Sequence, residues 1–437
     1  MKQHTDFWVK SFMAMFVIIG AIAIIMPCTA QAETVEELSQ RVAYLEKELS
    51  NTQGKLKIAL QSKGEINEKT PDKIMLGPIK IGGAIRANYI LGDYERSTRG
   101  PSRGGHGGDF ELDLFRVNAD WNQDAWTAKV EYRFYPGYNM LHTGWLSYEF
   151  EDKSSLKGGV NRVPFGPGPY GVSQSWFFDQ HYYVGLADDM DFGLHYKKPL
   201  ENLTLDFGYY PSNEGHWNGS TSDSTRYSYD VVNESGSGYD EEHQFNARAI
   251  YNFNDWTIPS DIGVSVQYGL LDSQGLQGDG NHSAASVHMI NKWNNFKLAS
   301  QLSYYKYDIE NHPVESGVVS DDLIDFGAFD FAYPIAAEAF VPGISLSYNL
   351  KTPSVSWIDS ITPYIEYSSI IKEAESFRDS ELFIIGAAWA RGNWYINTDL
   401  GYSNGNFFVG NEAFTEFGAN PNDRWQKRLN IHFGYYF

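Results

Sequence analysis

Apolar and polar residues alternate with a period of two along much of this chain. In Leu429-Asn430-Ile431-His432-Phe433-Gly434-Tyr435-Tyr436-Phe437 every odd position is apolar. Over 126–134 every even position is apolar, with Lys129, Glu131 and Arg133 between them. Successive side chains of a strand point to opposite faces, so each such stretch has one greasy face and one wet face. The pattern recurs over 81–89, 203–207, 245–249 and 394–400. The connections alternate as well. Short turns are expected at 122–124, 151–155, 198–202, 254–255, 294–295 and 391–393, with a looser one near 351. Long polar stretches lie at 92–109, 164–190, 211–242, 308–338 and 404–424, and shorter loops near 136, 272 and 370. Eight loops and seven turns predict 16 strands with both ends on one side, and 14 or 18 remain open because boundaries read from pattern are uncertain by a few residues.

A soluble β-sandwich would also alternate. However, Phe, Tyr and Trp number 27, 29 and 12 of 437 residues, which suits the aromatic girdles of a barrel at two membrane interfaces. A sandwich of this length would normally split into several domains. Beyond Ala32 no long apolar run exists, which excludes a helical membrane protein. The predicted fold class is all-β: a transmembrane antiparallel β-barrel over 79–437, wide enough for an aqueous channel. A terminal Phe on an alternating strand resembles the assembly signal of bacterial outer-membrane barrels.

The other end fixes the compartment. Lys2 and Lys10 precede an apolar run over 12–26 and then Ala30-Gln31-Ala32, the order of a secretory signal peptide, so 1–32 is expected to be removed. The run is too short for a spanning anchor. Cys28 would leave with it, and the mature chain would have no disulfide, thiolate metal site or haem-attachment motif. Over 33–64, Val35, Leu38, Val42, Leu45, Leu49, Leu56 and Ala59 occupy a and d heptad positions, predicting a short periplasmic coiled coil; a lone amphipathic helix on the barrel mouth is the alternative. Residues 65–78 read as a linker. The expected location is the bacterial outer membrane, barrel ends periplasmic and long loops extracellular, in contact with lipid and lipopolysaccharide.

Together with the signal and heptad segments, three stretches, Phe115-Arg116-Val117, Val130-Glu131-Tyr132-Arg133-Phe134 and the run from Gly158 to Gly166, resemble the phosphate-selective porin O and P family of Gram-negative bacteria. That resemblance implies a 16-stranded homotrimeric porin. It also implies that Pro164-Phe165, after the fifth strand, leads into a loop folding inward to narrow the pore.

The formal charge is −21, which argues against a nucleic-acid partner. Most of the acidity sits in 211–242 and 308–338. On the predicted lumen face, Arg86, Arg116, Lys129, Arg133, Lys157, Lys197, Arg248, Lys297 and Arg428 outnumber Asp120, Glu131, Glu149, Asp206, Glu366 and Asp399. Such a wall suits small anions, since arginines offer paired donors to phosphate or carboxylate. The alternative is that these charges pair across strands and line a neutral channel. The candidate constriction segment, 164–190, contributes Pro164, Phe165, Tyr170, Trp176, Asp179, Asp188 and Asp189. Its aromatics are expected to pack it on the wall, and Asp179, Asp188, Asp189 and Asp191 would place acid near the opening, against anions. An external lid is the competing reading. Asp188, Asp189 and Asp191 offer oxygens of the kind calcium takes, but match no EF-hand spacing, and no metal or cofactor is assigned.

Gly100-Pro101-Ser102-Arg103-Gly104 fits a nucleophile-elbow pattern but lacks a following helix. His195, His288 and His432 fall on the lumen face without an adjacent serine in sequence. The predicted function is therefore a non-enzymatic channel for small hydrophilic solutes. An outer-membrane hydrolase and a sheath around an electron-transfer or export protein are the alternatives.

Overall fold

The computed structural model describes residues 74–94, 108–234, 236, 238–310, 312–313, 319–410 and 415–437. The segments read as signal peptide and coiled coil, most of the linker, and Gly100 to Gly104 lie outside them. Sixteen antiparallel strands form one closed barrel. They are β1 (Ile79–Gly92), β2 (Asp109–Gln123), β3 (Trp126–Tyr135), β4 (Tyr138–Glu149), β5 (Ser155–Arg162), β6 (Met190–Pro199), β7 (Leu203–Asn213) and β8 (Tyr239–Phe253). The second half comprises β9 (Ser260–Ser273), β10 (Gly280–Trp293), β11 (Phe296–Asp308), β12 (Glu338–Tyr348), β13 (Ser360–Lys372), β14 (Ser380–Arg391), β15 (Trp394–Asn404) and β16 (Trp425–Tyr436). The expected strand count and alternation of short turns with longer loops are present. One turn is longer than read, because β8 ends at Phe253 and β9 begins at Ser260.

Closure rests on β1 pairing with β16, from Ala84 opposite Tyr436 to Gly92 opposite Arg428. Gly83 and Phe437 exchange backbone hydrogen bonds of 2.8 and 3.0 Å. A Cβ on Gly83 would stand 2.6 Å from the Phe437 ring, so a side chain there would displace the terminal residue. Beyond Phe437 the same edge is taken by Ile74–Leu76, which pairs with Ile79–Ile81. Every backbone group of a membrane-spanning segment needs a partner, and a closed ladder supplies one.

Period two decides which residues face outward. Ile85, Val130, Leu146, Ile385 and Leu400 are exposed, while their neighbours Arg86, Glu131, Ser147 and Asp399 point inward. Aromatic pairs ring both ends of the outer face. Trp126–Tyr148, Phe296–Tyr348 and Trp394–Tyr435 lie at the short-turn end, and Tyr304–Phe340 and Tyr402–Trp425 at the long-loop end. Their ring centroids are 4.5 to 4.9 Å apart.

The buried apolar core lies inside the barrel mouth. The described parts of loops L3 (163–189), L4 (214–238), L6 (309–337) and L8 (405–424) pool Tyr183, Tyr229, Phe326, Tyr333, Phe407 and Phe417 there. Each fully buried aromatic contributes roughly 2–3 kcal/mol. L6 and L4 also share a small sheet, in which Asp230–Val231 pairs with Phe326–Gly327 of Leu323–Ala328, itself paired with Phe331–Ala336.

Candidate functional site

L3 leaves β5 and crosses the lumen, anchored by opposite strands. Pro164 and Phe165 are its buried root: the Pro164 ring sits over Gly208, and Phe165 is in the aromatic core. The Arg248 guanidinium donates to Gly166 O at 3.2 Å and to Asp206 at 2.9 and 3.0 Å, while His195 holds the second Asp206 oxygen at 2.9 Å. Further along, Glu366 of β13 accepts from the Gln174 backbone N–H at 2.5 Å and from the Ser173 hydroxyl at 2.6 Å. Asp399 of β15 accepts from the Trp176 N–H at 3.0 Å and from Tyr364 at 2.6 Å. Arg428 of β16 lies beneath the Trp176 and Phe177 rings, at 5.1 and 5.3 Å.

The short helix α1 (Gln180–Tyr183) completes the crossing. Asp179 caps it, accepting from the His181 N–H, and also accepts from the Val172 N–H at 2.7 Å. Gln180 N donates to Ser368 at 3.1 Å, and Tyr183 hydroxyl to Phe177 O at 2.5 Å. L3 is therefore an inward segment packed on β8, β9, β13, β15 and β16, and not an external lid; of its aromatics Trp176 and Phe177 pack on the wall as expected, whereas Phe178, Tyr182 and Tyr183 join the loop core.

A lumen cavity of about 970 Å³ remains between L3 and the opposite wall. Tyr170 and Trp176 form its L3 side; Arg86, Arg133, His432 and Tyr436 form its wall side, with Lys297 also on its boundary. Five of the predicted wall bases, Arg86, Arg116, Lys129, Arg133 and Lys157, lie in this β1–β5 sector. Glu131 is the hub there, with Arg133 at 2.7 Å, Arg116 at 3.2 Å and Lys129 at 3.7 Å. Lys157 lies over the Trp145 ring at 4.6 Å.

Three sequence readings are corrected. First, Asp206, Glu366 and Asp399 face inward but are not free wall charge, because each binds L3 or the arginine that clamps it. Second, Asp179, Asp188 and Asp189 do not put acid at the opening. Asp179 is consumed inside L3, Asp188 pairs with Arg162 at 2.6 Å and accepts from Tyr227 at 2.6 Å, and Asp189 is buried. Third, Asp188, Asp189 and Asp191 do not form one oxygen cluster, because Arg162 and Tyr227 draw Asp188 away; Asp189 and Asp191 gather instead with Asp230.

Three residues of the charged wall were missed, Arg162, Asp113 and Glu111. Arg162 ends β5. Asp113 pairs with Arg86 at 2.7 Å and sits at a bulge, where Arg86 opposes Leu114 and Ala87 opposes Leu112. The bulge was written in the sequence as a parity switch: Phe110 and Leu112 face out on even numbers, Phe115 and Val117 on odd. Of the charged groups, Arg86, Arg133, Lys297 and Arg428 line the cavity against Glu111, Asp113 and Asp330, while Arg116, Lys129, Lys157 and Arg162, with Asp120 and Glu131, stand on the adjoining wall. In each ion pair the acid is the more buried partner: Glu131 is 3% exposed against 22% for Arg116, and Asp188 4% against 40% for Arg162. Solvent in the lumen therefore meets Arg162, Lys129 and Arg116 before the acids they pair with.

No protein-family model matches the chain, and no curated protein matches it in sequence. Solved structures match its fold. Salmonella typhi OmpF in complex with daunomycin superposes with a TM-score of 0.54 at 12% identity, over 82% of this chain and 97% of that one. The anion-selective porin from Comamonas acidovorans gives 0.51 at 10%, over 82% and 99%. The trimer form of OmpT, an outer membrane protein of Vibrio cholerae folded in vitro, gives 0.51 at 13%, over 82% and 99%. These likenesses establish a porin-like, 16-stranded outer-membrane barrel fold.

Proposed function

We propose that the chain is a bacterial outer-membrane porin that passes small hydrophilic solutes by diffusion and prefers anions. One observation carries the preference: around the open cavity the bases Arg86, Arg133, Lys297 and Arg428 stand against the acids Glu111, Asp113 and Asp330, and in the ion pairs of the adjoining wall the acid is set behind its partner. Fixed positive charge in a narrow, partly desolvated passage replaces hydration that an anion loses on entry. Arginines able to present paired donors favour phosphate and carboxylate solutes, in keeping with the resemblance to phosphate-selective porins. The long loops face the cell exterior and both barrel ends face the periplasm. A homotrimer in lipid and lipopolysaccharide is the assembly this reading favours, supported by the trimeric OmpT form. The channel does no chemistry. An inward segment across the lumen argues against a sheath, which needs a bore for a whole polypeptide.

Planar-bilayer recordings in a salt gradient test this reading. The expected result is a reversal potential of the sign set by anion flux, with conductance reduced by added phosphate. Cation selectivity would overturn the anion preference, and absence of any step conductance would overturn the channel.

A further inference from the structure

Five carboxylates converge where L3 rejoins the barrel. Asp189 ends L3, Asp191 opens β6, Glu214 follows β7, Asp230 lies in L4 and Glu241 in β8. All are at least nine-tenths buried, from 2% exposure for Asp191 to 9% for Asp189. Oxygens of Asp189, Asp191 and Asp230 lie within 4.8 Å of one another. Charge is compensated on one flank only: Arg226 reaches Asp230 at 3.6 Å, and on its other side binds Asp223. Gln244 donates to one Asp191 oxygen at 3.1 Å, Ser228 N–H to one Glu214 oxygen at 2.7 Å, and His282 stands 4.0 Å from Glu241.

What remains is unsatisfied. Asp189 Oδ1, Asp191 Oδ1 and Glu214 Oε2 are buried without a hydrogen-bond partner. A buried polar atom left without a partner costs about 1–3 kcal/mol, and more when charged. Native folds do not stack such groups unless something answers them.

We propose that Asp189, Asp191 and Asp230 bind a hard divalent cation, calcium by preference, with Glu214 and Glu241 completing its surroundings. The donors are all carboxylate oxygens with no thiolate or imidazole among the three, which selects against zinc-class metals. Their oxygens, all within 4.8 Å of one another, are close enough to reach one ion at calcium–oxygen distances of ~2.4 Å. Magnesium requires a tighter shell and retains waters, for which this packed site has little room. Burial, reinforced by the neighbouring acids, pushes the Asp189 carboxyl above its ordinary range. Burial likewise raises Asp230 against the pull of Arg226, and takes the Glu214 carboxyl up to about 7. A cation relieves that conflict at neutral pH; protons shared among the carboxyls are the competing relief.

The site ties together three parts of the chain. Asp189 and Asp191 flank Met190, whose N–H donates to Ser228 of L4 at 2.7 Å, and the strand Asp230–Val231 pairs with L6. A bound ion would fasten the end of the inward segment to the two acidic outer loops, stiffening the constriction without touching its basic wall. The inference is independent of which solute the channel passes.

Full-length protein in detergent, treated with EGTA and then titrated with calcium chloride, provides the test. Expected are one calcium per chain by calorimetry and elemental analysis, and a calcium-dependent rise in melting temperature. Asp191→Asn and Asp230→Asn should weaken binding by about 100-fold. The two reliefs differ in sign: with calcium present the Asn variants should melt below wild type, whereas in EGTA they should melt at or above it. No calcium binding by wild type at millimolar concentration, or Asn variants more stable than wild type in calcium and EGTA alike, would overturn the site in favour of shared protons. Should a variant fail to fold, the wild-type titration still decides.

Discussion

On the β13–β15 side of the barrel, Glu366 and Asp399 hold the backbone of L3, and behind that segment the mouth is filled by aromatic rings from four loops. On the β1–β5 side, the same alternation puts Arg86, Arg116, Arg133 and Lys129 on the wall, and nothing from L3 covers them fully. Both sectors follow the same strand rule, inward polar and outward apolar. Their difference comes from the occupant of the lumen. Where L3 supplies N–H and O–H donors, inward acids become structural; where it stands off, Arg116 and Lys129 face water, and Arg133 packs against Tyr227 of L4. An inward charge acquires its role from what crosses the barrel opposite it.

The comparison breaks most readily at the packed side. Phe326→Ala removes a fully buried ring and should cost about 3–5 kcal/mol of loop-core stability, seen as early proteolysis of L4 and L6 and a lowered melting transition. Ile385→Ala, at 52% exposure on the outer face, should change stability by less than about 1 kcal/mol, since lipid tails are as apolar as the side chain removed. Equal losses at the two positions would mean that the mouth is not a core at all.

Releasing L3 comes next in size. Glu366→Ala leaves the Gln174 N–H and the Ser173 hydroxyl without their acceptor, at about 1–3 kcal/mol. Single-channel conductance should rise and become noisier as the segment leaves the wall. Unchanged conductance would show that L3 is held by its aromatics alone.

The barrel was legible in the sequence because lipid imposes one apolar residue in two on every strand, and because short and long connections alternate. Trp126 to Phe134 and Leu429 to Phe437 carry that pattern without interruption. The lumen was legible only as a list of charges. Glu366 and Gln174 are 192 residues apart, and Asp399 and Trp176 are 223 apart, so nothing local distinguishes an acid that anchors a loop from one that faces solute. Proline and glycine at the start of L3 pointed to an inward turn, yet its acids were assigned to the opening when all lie turned away. Asp230 joins Asp189 from another loop, which no spacing rule anticipates. Asp113 was the exception, since the parity switch beside it was readable.

Selectivity sharpens the comparison from the open side. Arg86→Gln removes a cavity base while leaving Asp113, and the anion-to-cation permeability ratio should fall about twofold. Asp113→Asn should raise the ratio. Reversal potentials measure both, and shifts of one sign for both variants would uncouple the ratio from the wall charge. The same substitutions are expected to leave L3 proteolysis unchanged, because neither residue touches it.

Lys129→Gln should have the smallest effect, for reasons that follow from its neighbours. Its ammonium stands 3.7 Å from Glu131 and is 35% exposed, so water screens the pair, and such pairs are worth at most about 1 kcal/mol. Glu131 would still hold Arg133 at 2.7 Å and Arg116 at 3.2 Å, and no buried charge is left alone. Stability should therefore stay within about 1 kcal/mol, with a permeability shift smaller than that of Arg86→Gln. Arg133→Gln, two inward positions further along the same strand, strips Glu131 of its closest partner in a buried place and should destabilise visibly more. If the two substitutions cost the same, Glu131 is solvated rather than set behind its bases, and the cationic face of the channel loses its physical basis.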